Sequence, residues 1–305
     1  MKKTLLAVMA VLMMSVMLIA GCSSGEEAAP AAKKGGATTI GFSISTLNNP
    51  FFVSVKDGVE AKAQELGVNV KIVDAQNDPA KQANDVADLL QQGVTVLLVN
   101  PVDSAAISTS VEAANKANIP VIALDRTADK GTLASLVASD NVKGGEMAAE
   151  YIINKLGEGV KVAELEGIPG ASATRERGEG FHKVADQKLN VVAKQSADFD
   201  RTKGLTVAEN MLQANPDIQA IFAQNDEMAL GAIEASKSAG KQIFIVGFDG
   251  TDDGIKAVEN GTMAATIAQQ PELMGQQGVE AAVKLAKGEK IDAKIAVPLK
   301  LVEKK

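Results

Sequence analysis

The stretch VTVLLVNPVDSAAISTSVEAANKANIPVIALDR, residues 94–126, sets out one unit of the fold. A run rich in β-branched residues ends at Asn100. A segment with helical spacing follows (SAAISTSVEAANKAN, residues 104–118), and a second apolar run ends at Asp125. The same order returns in AIFAQNDEMALGAIEASKSAGKQIFIVGFD, residues 220–249, where Asn225 closes the first run and Asp249 the second. The polar ends are 25 residues apart in one copy and 24 in the other. Matched ends in a matched strand–helix–strand setting point to two similar lobes. Near-continuous apolar strands separated by helices mean parallel sheets covered on both faces.

Outward from these units, TTIGFSI (38–44), NVKIVDA (69–75), VKVAELEG (160–167) and NVVAKQ (190–195) bring the strand runs to eight. Each is followed by a longer stretch with helical spacing. The fold class is therefore α/β, with two similar Rossmann-like lobes. In open α/β sheets ligands bind outside the carboxyl ends of the strands. Those ends carry Asn49, Asn100, Asp125, Arg126, Asn225 and Asp249. Two lobes facing each other across such edges make a cleft.

The chain's 305 residues are enough for two medium domains, and its composition, 46% hydrophobic and 23% charged, is that of an ordinary folded protein. The first 21 residues read as a signal peptide: Lys2 and Lys3, then an apolar run from Leu5 to Ala20 broken only by Ser15. Leu18-Ile19-Ala20-Gly21-Cys22 resembles a lipobox, cut before the cysteine and lipidated on it. Cys22 is the only cysteine, so no intrachain disulfide can form, and lipidation accounts for a lone thiol in an exported chain. Residues 22–37, mostly Ser, Gly, Ala, Pro, Glu and Lys, read as a flexible tether. Without Lys2 and Lys3 there remain 29 basic and 38 acidic residues, a charge of -9 that argues against nucleic acid as a partner.

No catalytic set emerges. His182 is the only histidine, which excludes a two-histidine zinc site, and its polar setting, RERGEGFHK, reads as a solvated helix position. There is no phosphate-binding G-x-x-x-x-G-K-[ST] loop, and no cofactor or metal is expected. Asp125 with Asp249 could be offered as an acid/base pair, but arginine neighbours should hold both ionised. What the inventory suits is a neutral polyol. Asp accepts, Arg donates from a rigid plane, Asn and Gln do both, and aromatic rings cover the apolar faces of a sugar.

LNNPFF, residues 47–52, supplies such rings: two of the chain's eight Phe residues sit side by side. Asn49 is a good N-cap and Pro50 suits the first helical position. Phe52, Val55, Val59, Ala63 and Leu66 then share the face that packs on the sheet. Phe51 lies about 100° from Phe52, at the border of that stripe and beside the strand ends. On the helix expected over RERGEGF, Arg175 and Arg177 point about 200° apart, so at most one can face the cleft.

The motifs STLNNPFF, VNPVDS, IPVIALDR, ASDN, RERGEGF, ADFDR, FAQNDEMALGA, VGFDGT and AATIAQ, in this order, resemble the ribose-binding proteins of bacterial ABC importers, within the type I periplasmic binding proteins. The resemblance runs from about Thr38 to the C-terminus. It implies two lobes that close on a pentose, D-ribose, and a membrane permease that receives it. It also allows a chemoreceptor as a further partner, and it implies a monomer that is not an enzyme. Carried over position by position, the stacking rings are Phe51, Phe52 and Phe199. The hydrogen-bonding residues are Asn49, Asp125, Arg126, Arg177, Asn225, Asp249 and Gln269. The implied hinges fall near Ser139-Asp140, Gln269-Gln270 and Pro298-Leu299. They divide the chain into a lobe of residues 38–139 plus 270–298 and a lobe of residues 140–269 plus 299–305.

The same residues admit two other readings. A repressor of the LacI type shares the fold but needs an N-terminal helix-turn-helix, where this chain has an export signal. A receptor for another sugar, such as allose or galactose, or for a sugar-like signal molecule, is the alternative the scaffold leaves open.

Overall fold

The computed structural model describes residues 38–304; the expected signal peptide, Cys22 and tether lie outside the described residues. In chain order the elements are β1 (Thr39–Ile44), α1 (Pro50–Leu66), β2 (Asn69–Asp74), α2 (Pro79–Gln91), β3 (Val96–Val99), α3 (Ser108–Lys116), β4 (Val121–Leu124) and β5 (Ser135–Ser139). Then follow α4 (Asn141–Leu156), β6 (Lys161–Glu166), α5 (Ser172–Lys188), β7 (Asn190–Ser196), α6 (Arg201–Ala214), β8 (Ala220–Ala223), α7 (Asp226–Ser238), β9 (Phe244–Asp249) and α8 (Asp252–Asn260). The chain ends with β10 (Ala265–Ala268), α9 (Pro271–Ala286), β11 (Lys294–Val297) and β12 (Lys300–Glu303).

Two six-stranded sheets result, ordered β11-β5-β4-β3-β1-β2 and β12-β10-β9-β8-β6-β7. The orders match strand for strand, so the internal echo in the sequence is a repeat of architecture. The chain passes between the sheets three times: from β5 into α4, from β10 into α9, and from β11 to β12. Each lobe has its own core. Phe42, Ile44, Leu98, Ile122 and Leu124 lie in one, with Phe51 and Phe52 of α1 packed on them. Phe181, Phe222 and Phe248 lie in the other, where Phe181 and Phe222 stack 4.7 Å apart. Burying each such side chain stabilises the fold by roughly 1.5–3 kcal/mol.

Side chains at the helix starts fix where the strand-end loops stop. Asn49 accepts from the Phe51 amide at 2.9 Å, Asn225 from Met228 at 2.9 Å, and Asp200 from Lys203 at 2.8 Å, each satisfying an N–H that the helix leaves free. Glycines let helices cross closely. A Cβ on Gly145 of α4 would run into the carbonyl of Arg177, and one on Gly180 of α5 into that of Val142, so this pair seats α5 against α4.

Four expectations need correction. The run PVIALD is followed by a second strand, not a helix: β5 joins β4 in parallel through the ten residues 125–134. Helix α3 covers only 108–116 of the stretch 104–118, because Asp103 caps the preceding turn by accepting from Ala105 and Ala106. Leu66 does not reach the sheet and is exposed. The chain turns at Gly67, in the left-handed region at φ 65°, and Val68 packs inward instead. The second sheet is also not wholly parallel, since β12 lies antiparallel on β10.

Candidate functional site

The two sheets present their carboxyl edges to each other, and nine of the ten expected site residues meet there around one small cavity. Asn49, Phe51, Phe52, Asp125 and Arg126 come from the first lobe; Arg177, Phe199, Asn225 and Asp249 come from the second. Ala173 completes the wall. Phe51 and Phe52 meet edge to face, centroids 5.2 Å apart, and both serve as core and as cavity wall.

Arg126 lies with its guanidinium 5.0 Å from the Phe52 ring and 5.1 Å from the Phe199 ring, so rings of both lobes flank it. It donates through Nη1 to the Pro101 carbonyl at 3.1 Å. Arg177 rests 3.8 Å above the Phe248 ring and is locked from two sides, Nε donating to Asn141 Oδ1 at 2.9 Å and Nη1 to the Gln224 carbonyl at 2.6 Å. Its Nη1 stands 3.6 Å from Asp249 Oδ1, while Arg126 Nε stands 3.5 Å from Asp125 Oδ2. All four charged groups are at most 4% exposed.

Burial pushes the Asp125 carboxyl up from its ordinary range against the pull of Arg126 and Arg177, and pushes Asp249 well up against the pull of Arg177. The same burial lowers Arg126 to about 10. The arginines oppose the carboxyl shifts without cancelling them, so the expectation that they simply hold both acids ionised leaves out desolvation, the larger effect. Among the described residues, Asp125 Oδ1, Arg126 Nε and Gln269 Oε1 are buried with no hydrogen-bond partner. Each such orphan costs on the order of 1–3 kcal/mol. Only Asp125 Oδ1 and Arg126 Nε lie on residues of the cavity wall, where a hydroxyl-rich molecule would be complementary; other orphans, such as Ser135 Oγ and Gln277 Oε1, belong to residues that do not line it.

The backbone is strained at the same place. Asp125, Phe199 and Asp249 have φ of 64°, 60° and 117°, values that favour glycine. Such residues persist only where surrounding contacts enforce them, and they cluster at functional sites. Here the strain turns three side chains off their strand ends and into the cavity.

Not every candidate lies on the wall. Gln269 sits behind it and donates to Asp249 Oδ1 at 3.0 Å. Asn100 bonds the Ser45 amide and the Leu124 carbonyl, joining the strand ends of the first sheet. Arg175 faces outward and pairs with Asp129 across the lobes at 2.8 Å. His182 is not a freely solvated position: it bridges buried Glu164, 2.8 Å from Nε2, and Asp186, 2.7 Å from Nδ1. Sequence reasoning missed Asn141, Gln224 and Phe248, which hold Arg177. Nothing in their spacing marks them, since Asn141 and Arg177 meet only because α4 crosses α5.

The lobes also touch directly beside the cavity. Ser104 N donates to the Gly170 carbonyl at 2.9 Å, Ser172 N to Ser104 Oγ at 3.1 Å, and Thr127 N to Ser172 Oγ at 3.0 Å.

A cleft between two doubly wound lobes, walled by polar strand ends and rings from both, defines a two-lobed solute-binding protein. The model of the periplasmic binding protein domain matches residues 40–290, and the chain belongs to the periplasmic binding protein family. Within it, the chain is similar to the ribose import binding protein RbsB of Bacillus subtilis (strain 168), 58% identical over 302 residues, covering 98% of this chain and 99% of that protein. The D-allose-binding periplasmic protein of Escherichia coli (strain K12) is 38% identical over 264 residues, covering 81% and 84%. Among solved structures, an ABC transporter solute binding protein from Mycobacterium smegmatis with bound glycerol superposes with a TM-score of 0.84 at 35% identity, covering 88% of this chain and 95% of that one. Among the described residues no helix is long and apolar enough to cross a membrane.

Proposed function

We propose that this protein captures D-ribose in the interlobe cavity and delivers it to the permease of a ribose ABC importer. One observation carries the reading: a small cavity draws hydrogen-bonding groups from both lobes, with buried orphans at Asp125 Oδ1 and Arg126 Nε, between aromatic walls. The strong similarity to a ribose import binding protein supports ribose over allose. Asn49, Asp125, Arg126, Arg177, Asn225 and Asp249 bond the hydroxyls, Phe51, Phe52 and Phe199 cover the sugar's faces, and Gln269 acts through Asp249. The protein binds and releases its ligand unchanged; it is not an enzyme.

The lobes are residues 38–139 plus 270–298 and residues 140–269 plus 299–305, hinged at the three crossings. Cys22 carries the lipid that anchors the mature chain to the outer face of the cell membrane, and the receptor acts as a monomer. Calorimetric titration against pentoses and hexoses tests the ligand. Ribose should bind tightest, because the extra hydroxymethyl of a hexose meets the three Phe walls. A hexose that binds more tightly than ribose overturns the assignment in favour of an allose- or galactose-type receptor.

A further inference from the structure

Asp226 is fully buried one residue beyond Asn225, at the start of α7, yet it does not line the cavity. Its Oδ2 accepts from Thr251 N at 2.8 Å and from Thr251 Oγ1 at 3.0 Å. Its Oδ1 accepts from Thr266 Oγ1 at 2.7 Å, and that hydroxyl in turn accepts from Gly250 N at 3.2 Å. The carboxylate also fills a socket: a Cβ on either Gly247 or Gly254 would collide with it. One side chain thus ties the start of α7, the turn after β9 and the middle of β10. Those are the segments that carry Asn225, Asp249 and Gln269. Gln269 N further donates to the Asp249 carbonyl at 2.8 Å, closing the ring of contacts.

The gripped residues, Gly250 and Thr251, directly follow Asp249, whose φ of 117° is the most unusual among the non-glycine residues with positive φ. A residue in such a conformation must be held there by its neighbours. We propose that Asp226 is a positioning residue that holds Asp249, and through it Gln269, in the geometry that meets the ligand. This deepens the proposed function and rests on reading the cavity as the sugar site. Thr266 is the second half of the clasp, since its hydroxyl bonds both Asp226 and the Gly250 amide.

Two measurements test it on the full chain. In the sugar-free protein, amide exchange at Gly250 and Thr251 should quicken in Asp226→Asn, because an amide cannot accept from both threonines. Exchange unchanged from wild type overturns the clasp whatever the ligand is. In ribose titrations, Asp226→Asn and Asp249→Asn should each weaken binding by roughly tenfold or more, and the double variant should be hardly weaker than Asp249→Asn, because residues acting as one unit are not additive. Combined with Asn49→Ala in the other lobe, the loss from Asp226→Asn should multiply in full. A full multiplicative loss with Asp249→Asn, or a lowered unfolding midpoint with ribose affinity intact, overturns the proposal. If Asp226→Asn does not fold, Thr266→Val serves in the same cycle, with the same outcomes. If wild type prefers another sugar of the panel, the ribose reading fails and that sugar becomes the probe.

Discussion

Arg175 and Arg177 stand two positions apart on α5 and about 200° apart around its axis, which decides that Arg177 enters the cavity and Arg175 meets Asp129 at the surface. Arg177→Ala would leave Asp249 buried without its nearest cation and remove the fork that reaches Asn141 and Gln224. Truncating one partner of a buried charge pair costs about 2–5 kcal/mol, so ribose affinity should fall by at least about thirtyfold. Arg177→Lys should rescue little, since a lysine cannot make both bonds of the fork while lying flat on Phe248. Arg175→Ala, at an exposed pair, should change affinity by less than about 1 kcal/mol. Equal losses in calorimetric titration of the two alanine variants would mean Arg177 is not a ligand contact. Helix periodicity made legible only that at most one of the two arginines could face the cleft, and the resemblance pointed to Arg177. The strained φ values of Asp125, Phe199 and Asp249 were not, because nothing in LDR, ADFDR or GFDG states which backbone well the fold will enforce.

At the scale of elements, α5 is fastened to β6 by the His182–Glu164 contact as well as by apolar packing. Glu164 is fully buried, and its other oxygen accepts from Gln224 Nε2 at 2.8 Å, so the carboxylate has no water to fall back on. Hydrogen bonding to Glu164, opposed by partial burial and aided by Asp186, raises the His182 ring from its ordinary 6.5 to about 9. A raised folded-state value means the fold holds the proton more tightly than the unfolded chain does. The contribution is therefore complete below about pH 6.5 and lost as pH rises through about 9. Solvent screening of a ring still partly exposed reduces it to an estimated ~1–2 kcal/mol. Thermal unfolding of the sugar-free protein should show this loss across the window, and His182→Gln should flatten it. Parallel curves for the two proteins would rule the clamp out. Such pairings explain what an element-level reading of the sequence misses. His182 looked solvated because its partner lies on a strand eighteen residues away. In the same way β5, only SLVAS with two serines at its ends, lacks the β-branched density that revealed β3 and β4. Its place is fixed by pairing with β4 and β11, which no local pattern contains.

For the whole molecule, the proposed lipid anchor and the proposed hinge are separable properties. Cys22→Ser should release the protein from cells while leaving ribose affinity unchanged, and mass spectrometry of the native chain should find the cysteine lipidated; a free thiol there would remove the anchor. Closure follows from the distribution of contacts. The first lobe brings Asn49, Asp125 and Arg126, and the second brings Arg177, Phe199, Asn225 and Asp249, so a ligand gains its full set of bonds only with the lobes together. The lobes' own bonds, among them Ser104 to Gly170, Thr127 to Ser172 and Arg175 to Asp129, are few and made by loops and the first turn of α5. With so few bonds of their own, the lobes should draw most of their preference for the closed form from the ligand, which shifts a conformational equilibrium only by its difference in affinity for the two states. Closure would present both lobe surfaces to a permease in one relative orientation, which is what allows a loaded receptor to be told from an empty one. Small-angle scattering should then give a smaller radius of gyration in saturating ribose than without it. The unfolding midpoint should climb with sugar concentration, by about 2.7 kcal/mol of added stability at one hundred times Kd. If titration showed ribose bound while the scattering profile stayed fixed, the lobes would already be closed without sugar, and recognition by the permease would have to rest on something other than the hinge.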